Sequence, residues 1–329
     1  MTMKKKIKRI GVFTSGGDAP GMNAAVRAVV RTGIYHGLQV YGIYHGYQGM
    51  ITGEIKKLEK KDVANILHRG GTMLKTSRSM EFMTPAGRKR AYAQLKKHKI
   101  DACIAIGGNG TFTGGLVFEG EYDIPFIGVP GTIDNDIFGT DYTIGYDTAI
   151  NTAVEAIDRI RDTADSHNRL FFIEVMGRHA GYIALNTGIG SGAVYTFLPE
   201  TKNEIEDLVK FLENAHRRNK LFNLVIIAEG NKTGNAMKIS KKIKKINDKF
   251  DSRVTIIGHL QRGGSPSAMD RVLASRFGYA AVNALIEGEK NKAVGLFDGN
   301  ILLTPFDQAI NKTKSIDPDL VRMAEILAM

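Results

Sequence analysis

The hydrophobic pattern divides the chain into short apolar runs and longer stretches in which apolar residues recur every three or four positions. Apolar runs of roughly four to eight residues predict buried strands, and the longer periodic stretches predict helices with one apolar face. We predict strands at residues 7–13, 38–44, 101–106, 125–129, 170–175, 194–198, 224–228 and 254–257. We predict helices at residues 21–36, 62–67, 84–97, 147–161, from about 179, 204–216, 236–250 and 270–286.

Strand and helix alternate almost throughout, with short connections. This alternation is typical of parallel sheets that are covered by helices on both faces, so we predict an α/β fold. At 329 residues the chain is long for a single core, and two domains are expected. Since no linker of biased composition marks a boundary, the chain could cross between the domains more than once.

The charge balance adds one candidate partner. A formal net charge of +11 raises a nucleic acid or another polyanion as a partner. The lysines of residues 238–246, however, alternate with isoleucines at spacings of three and four, so they form the outer face of an amphipathic helix. No tryptophan is present, and no stretch interleaves arginine with aromatic residues as a single-strand-binding groove would. We therefore predict no nucleic-acid partner, and steeply salt-dependent binding of duplex would support the alternative.

The cellular location is predicted from three missing features: a pair of cysteines, a signal peptide and a membrane span. Cys103 is the single cysteine, which excludes an internal disulfide and indicates a reducing, cytoplasmic location. The basic start, residues 1–9, is followed by an apolar run that Ser15 breaks at once, so it does not match a signal peptide. No apolar run approaches the ~20 residues of a membrane span, and no membrane association is expected.

Candidate chemistry lies where the strands of the first half end. Ligands of parallel sheets bind beyond the carboxyl ends of the strands. Three predicted strands are followed directly by residues 14–23 (TSGGDAPGMN), 107–111 (GGNGT) and 130–136 (PGTIDND). Glycine lets backbone N–H groups approach phosphate oxygens, and a following helix N-terminus adds its dipole. We interpret the three segments as a polyphosphate site, although the loop at residues 107–111 has neither the GxxxxGK[ST] nor the GxGxxG spacing.

Residues 130–136 also carry two carboxylates, Asp134 and Asp136, two positions apart. Two acids this close repel each other, so the loop needs a raised pKa on one of them or a bound cation. An acid together with a metal is the hypothesis; a polar turn rich in Asp and Asn is the alternative for the stretch taken alone.

Later strand ends carry arginine, histidine and glutamate. The planar fork of arginine donates bidentate hydrogen bonds to phosphate, and Glu229 could hold sugar hydroxyls. These side chains therefore indicate a site for an anionic substrate. They lie at Arg253 and in residues 166–169 (SHNR), 174–178 (EVMGR), 228–230 (AEG) and 258–266 (GHLQRGGSP).

Four of these motifs together resemble the signatures of the bacterial ATP-dependent 6-phosphofructokinase family: residues 14–27 (TSGGDAPGMNAAVR), 130–136, 174–178 and 258–266. The resemblance runs from about Ile7 to the last helices. It implies two Rossmann-like three-layer domains with largely parallel sheets and the active site in the cleft between them. An ATP-binding domain would comprise residues 1–145 plus about 261–311, and a fructose 6-phosphate-binding domain residues 146–260 plus about 312–329. A homotetramer with shared active sites is also implied.

The resemblance further implies Mg²⁺-dependent transfer of phosphate from ATP to the 1-hydroxyl of fructose 6-phosphate, a step of glycolysis. Asp134 would be the base, Thr132 would orient the reacting group, and Arg78 and Arg178 would meet the developing charge. The nucleotide would be bound by Gly17, Arg78, Ser79, Gly108, Asn109, Gly110 and Thr111, and the metal by Asn109 and Asp136. The sugar phosphate would be bound by Thr132, Asp134, Arg169, Met176, Gly177, Arg178, Glu229, Arg253, His259 and Arg262, with Arg169 and Arg253 coming from a neighbouring subunit.

The donor is also implied by the resemblance. Pyrophosphate-dependent relatives carry an acid and a lysine at the positions of Gly110 and Gly131, which favours ATP here.

Three departures from the family pattern change these expectations. Asn109 stands where the family has an aspartate, so we predict weaker Mg²⁺ binding or slower turnover. Residues 74–79 (LKTSRS) replace a more glycine-containing stretch, and Lys75 adds attraction to phosphate. Val194 replaces a metal-binding acid of the effector site, so we predict no metal-assisted activation by ADP. An effector nucleotide or phosphoenolpyruvate would be bound by Arg27, Arg31, Arg161, Arg218 and Lys220.

Two further alternatives remain. A catalytically weakened paralogue with a regulatory or binding role would account for Asn109. A kinase of another sugar phosphate would keep the arginines and alter the pocket near Met176 and Glu229.

Overall fold

The computed structural model describes residues 7–164, 170–202, 205–217, 223–247 and 250–328. The strands are β1 (Arg9–Thr14), β2 (Gln39–Ile43), β3 (Ile55–Leu58), β4 (Ala102–Gly107), β5 (Phe126–Pro130), β6 (Leu170–Val175), β7 (Tyr195–Phe197), β8 (Asn223–Ala228), β9 (Ser252–Ile256), β10 (Lys292–Phe297) and β11 (Asn300–Pro305). The α-helices are α1 (Met22–Tyr35), α2 (Gly46–Thr52), α3 (Pro85–Lys97), α4 (Asn109–Tyr122), α5 (Tyr146–Ala164), α6 (Tyr182–Ser191), α7 (Ile205–Arg217), α8 (Ala236–Ile246), α9 (Ala268–Ile286), α10 (Phe306–Asn311) and α11 (Pro318–Leu327). Short 3₁₀ helices lie at Glu81–Met83 and Gly258–Arg262.

The chain divides into two compact units, and it passes from the first to the second and back within residues 130–137. Unit 1 contains Met1–Ile133, Ile137–Asp147 and Arg262–Lys314. Unit 2 contains Asp134–Asp136, Thr148–Gln261 and Ser315–Met329.

Unit 1 is built on a seven-stranded sheet in the order β11-β10-β5-β4-β1-β2-β3. Its central pairs are parallel, and β2–β3 and β10–β11 are antiparallel. One core packs α2, α3, α4 and α10 against the sheet through aromatic side chains, with Tyr47 stacked on Phe82 at 4.0 Å between ring centroids and Phe112 on Phe306 at 5.1 Å. On other buried surface, α1 packs along α9.

Unit 2 is built on a four-stranded parallel sheet in the order β7-β8-β6-β9. Its core packs α7 and α8 against Phe172 and Phe197 of the sheet. The predicted α/β class with largely parallel sheets is confirmed in both units, because most strand pairs are parallel and helices pack against both sheets. No described helix combines the length and apolar character that crossing a membrane requires.

The predicted helix at residues 62–67 is wrong, since these residues form turns. The Asp62 carboxylate accepts a hydrogen bond from Glu59 N at 2.8 Å, which favours a local turn over a helical start. Asn65 adopts a left-handed backbone with φ 53°, and a helix cannot continue through that conformation. The helix predicted to reach residue 250 ends at Ile246, where Asn247 turns to an extended backbone.

A partly buried ion pair joins α3 to α4. Arg88, 8% exposed, donates from Nε and Nη2 to the two carboxylate oxygens of Glu121 at 2.8 and 2.6 Å. The same guanidinium donates to the carbonyl oxygens of Phe82 at 3.1 Å and Met83 at 2.8 Å. The hydrogen bond from Arg88 lowers the pKa of Glu121. A carboxylate with a lowered folded pKa stabilises the fold above its unfolded pKa, about 4.3, and loses that contribution as the pH falls.

We therefore expect Glu121→Gln to lower the free energy of unfolding by about 1–2 kcal/mol at pH 7, because the charge-assisted bonds to Arg88 are lost. The difference from the wild type should shrink as the pH falls from about 4.3, where the unfolded carboxylate begins to bind protons, through the lower pKa of the folded carboxylate. Urea denaturation at neutral and acidic pH measures both values. Glu155→Gln, which breaks the exposed pair with Arg159, is the control and should change little at either pH. A difference that stays constant with pH would contradict the expectation.

Candidate active site

The three segments predicted to form a polyphosphate site begin at one edge of the unit 1 sheet. β5, β4 and β1 are neighbouring parallel strands, so their carboxyl ends share an edge. Backbone hydrogen bonds tie the segments together: Gly131 N donates to Gly107 O at 3.0 Å, and Ser15 N donates to Ile106 O at 2.9 Å. The structure thus brings together residues that are far apart in the sequence.

Glycine is required at the centre of this edge. A Cβ at Gly107 would lie 2.5 Å from Ser15 O and would also overlap the Thr111 hydroxyl. Gly16 has φ 84°, a left-handed backbone that glycine adopts without strain. α4 begins immediately afterwards at Asn109, and no side chain caps its N-terminus. Because the first N–H groups of a helix lack intrahelical partners, this arrangement suits phosphate oxygens.

Asn109 has the chemistry of a ligand for a hard cation or its bound water. Its side-chain Oδ1 is buried and has no hydrogen-bond partner in the described part of the chain. A buried carbonyl oxygen without a partner costs free energy, so this oxygen is suited to accept a hydrogen bond or to ligate a cation. Oxygen is the donor type that Mg²⁺ takes in proteins. Within the described residues no group of three His, Cys, Asp or Glu side chains could hold a metal unaided.

The loop that carries Arg78 is anchored on the end of β1. Thr14 Oγ1 donates to Lys75 O at 2.7 Å, and Thr76 Oγ1 donates to Gly16 O. Ser79 Oγ donates to Gln48 Oε1 at 2.7 Å and accepts from Phe82 N at 3.1 Å. Arg78 itself is exposed. Unit 1 therefore holds every described residue that was predicted to bind the nucleotide: Gly17, Arg78, Ser79, Gly108, Asn109, Gly110 and Thr111.

In unit 2 the Asp134 carboxylate lies beside the guanidinium of Arg178. Asp134 is 7% exposed, and its Oδ2 lies 3.6 Å from Nε of Arg178, whose side chain is 66% exposed. Asp136 is half-buried, and Tyr182 at the start of α6 is near enough to sense its charge. Burial raises the pKa of Tyr182 most, and the negative charges of Glu200 and Asp136 raise it further.

The backbone of Arg178 is held in a strained conformation, with φ 50°. Its N–H donates to Glu229 Oε1 at 2.8 Å. A Cβ at Gly230 would overlap Arg178 O, so the β8 end and the β6 end can approach only because residue 230 is glycine. This contact fixes the backbone of Arg178, while its guanidinium is largely exposed.

The remaining predicted phosphate ligands belong to both units. Arg262 donates from Nη2 to Asp18 Oδ1 at 2.6 Å and belongs to unit 1. Arg253 and His259 belong to unit 2 and are exposed, and Arg253 pairs with Asp251 at 2.6 Å. Arg169 lies outside the described residues.

The family model described as phosphofructokinase matches residues 9–285. The chain belongs to the phosphofructokinase family. It is 53% identical to ATP-dependent 6-phosphofructokinase 2 of Bacteroides thetaiotaomicron, over 98% of this chain and 99% of the relative. It is 54% identical to ATP-dependent 6-phosphofructokinase 1 of Thermus thermophilus, over 98% of this chain and the full length of the relative. The resemblance read from the motifs is thereby confirmed.

Solved phosphofructokinases share the fold. The structure of phosphofructokinase from Saccharomyces cerevisiae matches 98% of this chain with a TM-score of 0.89 and 37% identity. This chain spans 48% of that longer chain. The pyrophosphate-dependent phosphofructokinase from Marinobacter aquaeolei matches with a TM-score of 0.82 at 23% identity, which shows a common fold and nothing about the donor.

Gln261 is a site residue of this phosphofructokinase family member that the sequence reasoning did not single out. Its side chain is fully buried. Oε1 accepts from Met176 N at 2.8 Å, and Nε2 donates to Ala149 O at 3.3 Å. The amide thus fastens the end of β6 to α5. The only signal in the sequence was its place inside the motif of residues 258–266.

The predicted effector residues are only partly described. Arg27 and Arg31 lie one turn apart on α1, and the pKa of Arg27 is lowered, first by burial and then by the charge of Arg31. Arg161 donates to Ser191 O at the end of α6. Val194 is buried just before β7. Arg218 and Lys220 lie outside the described residues.

Proposed function

We propose that this chain is an ATP-dependent 6-phosphofructokinase, which transfers the γ-phosphoryl group of ATP to the 1-hydroxyl of D-fructose 6-phosphate and forms fructose 1,6-bisphosphate and ADP. The observation that carries the proposal is the nearly buried Asp134 carboxylate beside the Arg178 guanidinium. Relatives that match nearly the full chain bear the name of this activity. A glycolytic role and a cytoplasmic location follow from the same proposal.

In the proposed mechanism Asp134 accepts the proton of the sugar 1-hydroxyl as that oxygen forms its bond to the γ-phosphorus. The bond from phosphorus to the ADP oxygen breaks in the same displacement. Thr132 orients the reacting groups, and Arg178 and Arg78 stabilise the negative charge on the transferring oxygens. The fixed backbone of Arg178 limits the positions that its guanidinium can reach.

We propose that unit 1 binds the nucleotide and unit 2 the sugar. Met176, Gly177 and Glu229 would hold the sugar. The 6-phosphate would be bound by Arg169, Arg253, His259 and Arg262, with Arg169 and Arg253 from a neighbouring subunit of a homotetramer. Asn109 and Asp136 would hold Mg²⁺, which when bound supplies positive charge to the phosphates. ATP rather than pyrophosphate is the proposed donor because Gly110 and Gly131 leave these positions without a side chain.

ADP production tests this function most directly. Purified protein is assayed with ATP and fructose 6-phosphate across a Mg²⁺ range, with pyrophosphate as a parallel donor. Turnover that requires both ATP and the sugar phosphate is expected, and pyrophosphate should not replace ATP. Folded protein that binds nucleotide and shows no turnover at any Mg²⁺ level would overturn the proposal in favour of a catalytically weakened paralogue.

Asn109→Asp tests the metal assignment. We expect the Mg²⁺ concentration for half-maximal turnover to fall about tenfold, because a carboxylate replaces a neutral amide next to the cation. A Mg²⁺ titration at saturating ATP measures the shift. Asn235→Asp is the matched control: Asn235 caps α8, where Asp serves equally well, so its titration should match the wild type. An unchanged titration in Asn109→Asp would contradict the metal assignment.

A further inference from the structure

Lys75 has a left-handed backbone at the end of a tight turn. Among the described lysines and arginines, Lys75, Lys99 and Arg178 have positive φ, at 60°, 54° and 50°. This conformation costs about 1–2 kcal/mol for a residue with a Cβ. Lys99 follows the C-cap of α3 and donates to Lys96 O, a position at which helices commonly end in this conformation. Lys75 follows no helix, and strained residues of this kind cluster at functional sites.

The backbone of Lys75 is fixed against the glycine loop of unit 1. Lys75 O accepts from the Thr14 hydroxyl at 2.7 Å, at the last residue of β1. The next residue, Thr76, donates from its hydroxyl to Gly16 O. Lys75 N donates to Thr72 O at 3.2 Å, which closes a tight turn. The four-carbon stem of a lysine thus starts beside the end of β1, one residue from the contact between Thr76 and Gly16.

The side chain of Lys75 is available to a ligand. Lys75 is exposed, and its ammonium has no carboxylate within 4 Å in the part of the chain described here. The same edge of unit 1 contains the buried, unpartnered Oδ1 of Asn109, which supplies no negative charge to a cation. A polyphosphate at this edge would therefore meet the neutral amide of Asn109 in place of a carboxylate, together with the positive charge of Lys75. An ammonium is a compact charge that suits phosphate oxygens.

We propose that Lys75 is a phosphate-binding residue of the nucleotide site, which contacts the terminal phosphates of ATP and compensates for a metal held by a neutral amide. This inference rests on the proposed nucleotide site in unit 1. The contribution of Lys75 is largest when Mg²⁺ is scarce, because the cation and the ammonium neutralise the same oxygens. It also weakens as salt screens the charge.

Calorimetric binding of ATP, ADP and AMP to Lys75→Gln, without the sugar phosphate, tests the proposal at low and saturating Mg²⁺. We expect the Kd for ATP to rise about tenfold at low Mg²⁺, the value of one charge-assisted hydrogen bond. The Kd for AMP should stay unchanged, since AMP lacks the terminal phosphates. Lys75→Arg should restore most of the affinity. Lys99→Gln, which removes another exposed lysine with positive φ, should bind all three nucleotides as the wild type does.

Three results would overturn the proposal: an unchanged Kd for ATP in Lys75→Gln, equal weakening of ATP and AMP, or the same loss in Lys99→Gln. Lys75→Gly gives a separate readout, because relief of the strain should raise the thermal stability while ATP binding falls. A stabilised Lys75→Gly with wild-type ATP affinity would also overturn the proposal.

Turnover of the wild type in the same preparations separates this inference from the proposed function. If the wild type turns over and Lys75→Gln binds ATP normally, the role of Lys75 alone fails. If the wild type shows no turnover and Lys75→Gln loses ATP affinity, the catalytic proposal alone fails.

Discussion

Asp134→Asn is expected to lower kcat by about 10³–10⁴-fold, because the amide cannot accept the proton of the attacking hydroxyl. Asparagine has the same shape as aspartate, so it should fill the nearly buried position. The Arg178 guanidinium would then lie beside a neutral amide in place of the carboxylate. The KM for ATP should change little, since Asp134 belongs to unit 2 and the proposed nucleotide ligands belong to unit 1. Steady-state kinetics at saturating Mg²⁺ measures both constants.

The matched control for this variant is Asp158→Asn. Asp158 is exposed on α5, so the same chemical change there should leave kcat within about twofold of the wild type, as surface substitutions generally do. A loss of less than tenfold in Asp134→Asn, with the fold intact by circular dichroism, would mean that another group accepts the proton. A loss that appears only as a higher KM for the sugar phosphate would assign Asp134 to binding.

Arg178→Ala is expected to lower kcat by about 10²–10³-fold, because one donor to the developing charge is removed. Alanine is no worse than arginine at φ 50°, and Glu229 can still accept from the backbone N–H, so the local backbone should persist. Arg178→Lys keeps a positive charge and loses the planar fork. It should recover only part of the activity.

Kinetics at saturating fructose 6-phosphate separates catalysis from binding for these two variants. Arg159→Ala is the control, since Arg159 is an exposed arginine on α5 that pairs with Glu155 one turn away. It should retain wild-type kcat. If Arg178→Ala regains full kcat once the sugar phosphate is saturating, Arg178 only binds substrate, and the assignment to the developing charge is wrong.

The sequence predicted several elements poorly because local preference and tertiary packing disagree there. α4 was read only as a glycine loop, since Gly110, Gly114 and Gly115 lower the helix propensity. In the structure a Cβ at Gly114 would meet Tyr47 at 2.8 Å and one at Gly115 would meet Phe126 at 3.0 Å, so close packing retains these glycines. The β10–β11 hairpin was missed although Asp298 and Gly299 form a typical turn pair between the two strands.

Some polar residues of the candidate site could be identified from the sequence, and others only from the structure. The glycine loops, Asp134 and Arg178 could be singled out, because the strand-end rule needs only the order of strands and loops along the chain. Gln261 could not be, since its role depends on two backbone atoms, Met176 N and Ala149 O, that only folding brings to its side chain. The pairing of Arg262 with Asp18 likewise joins residues from opposite ends of the chain.

The sequence by itself determined the α/β class, the positions of most strands, the family and the segments that carry the chemistry, because hydrophobic periodicity and motif spacing are local properties. Only the tertiary structure decided that β5, β4 and β1 lie side by side, that Asn109 Oδ1 is buried without a partner, and that Lys75 is held in a strained backbone beside Gly16. These features depend on contacts between residues distant in the sequence, whose closure entropy is repaid only when the whole sheet forms.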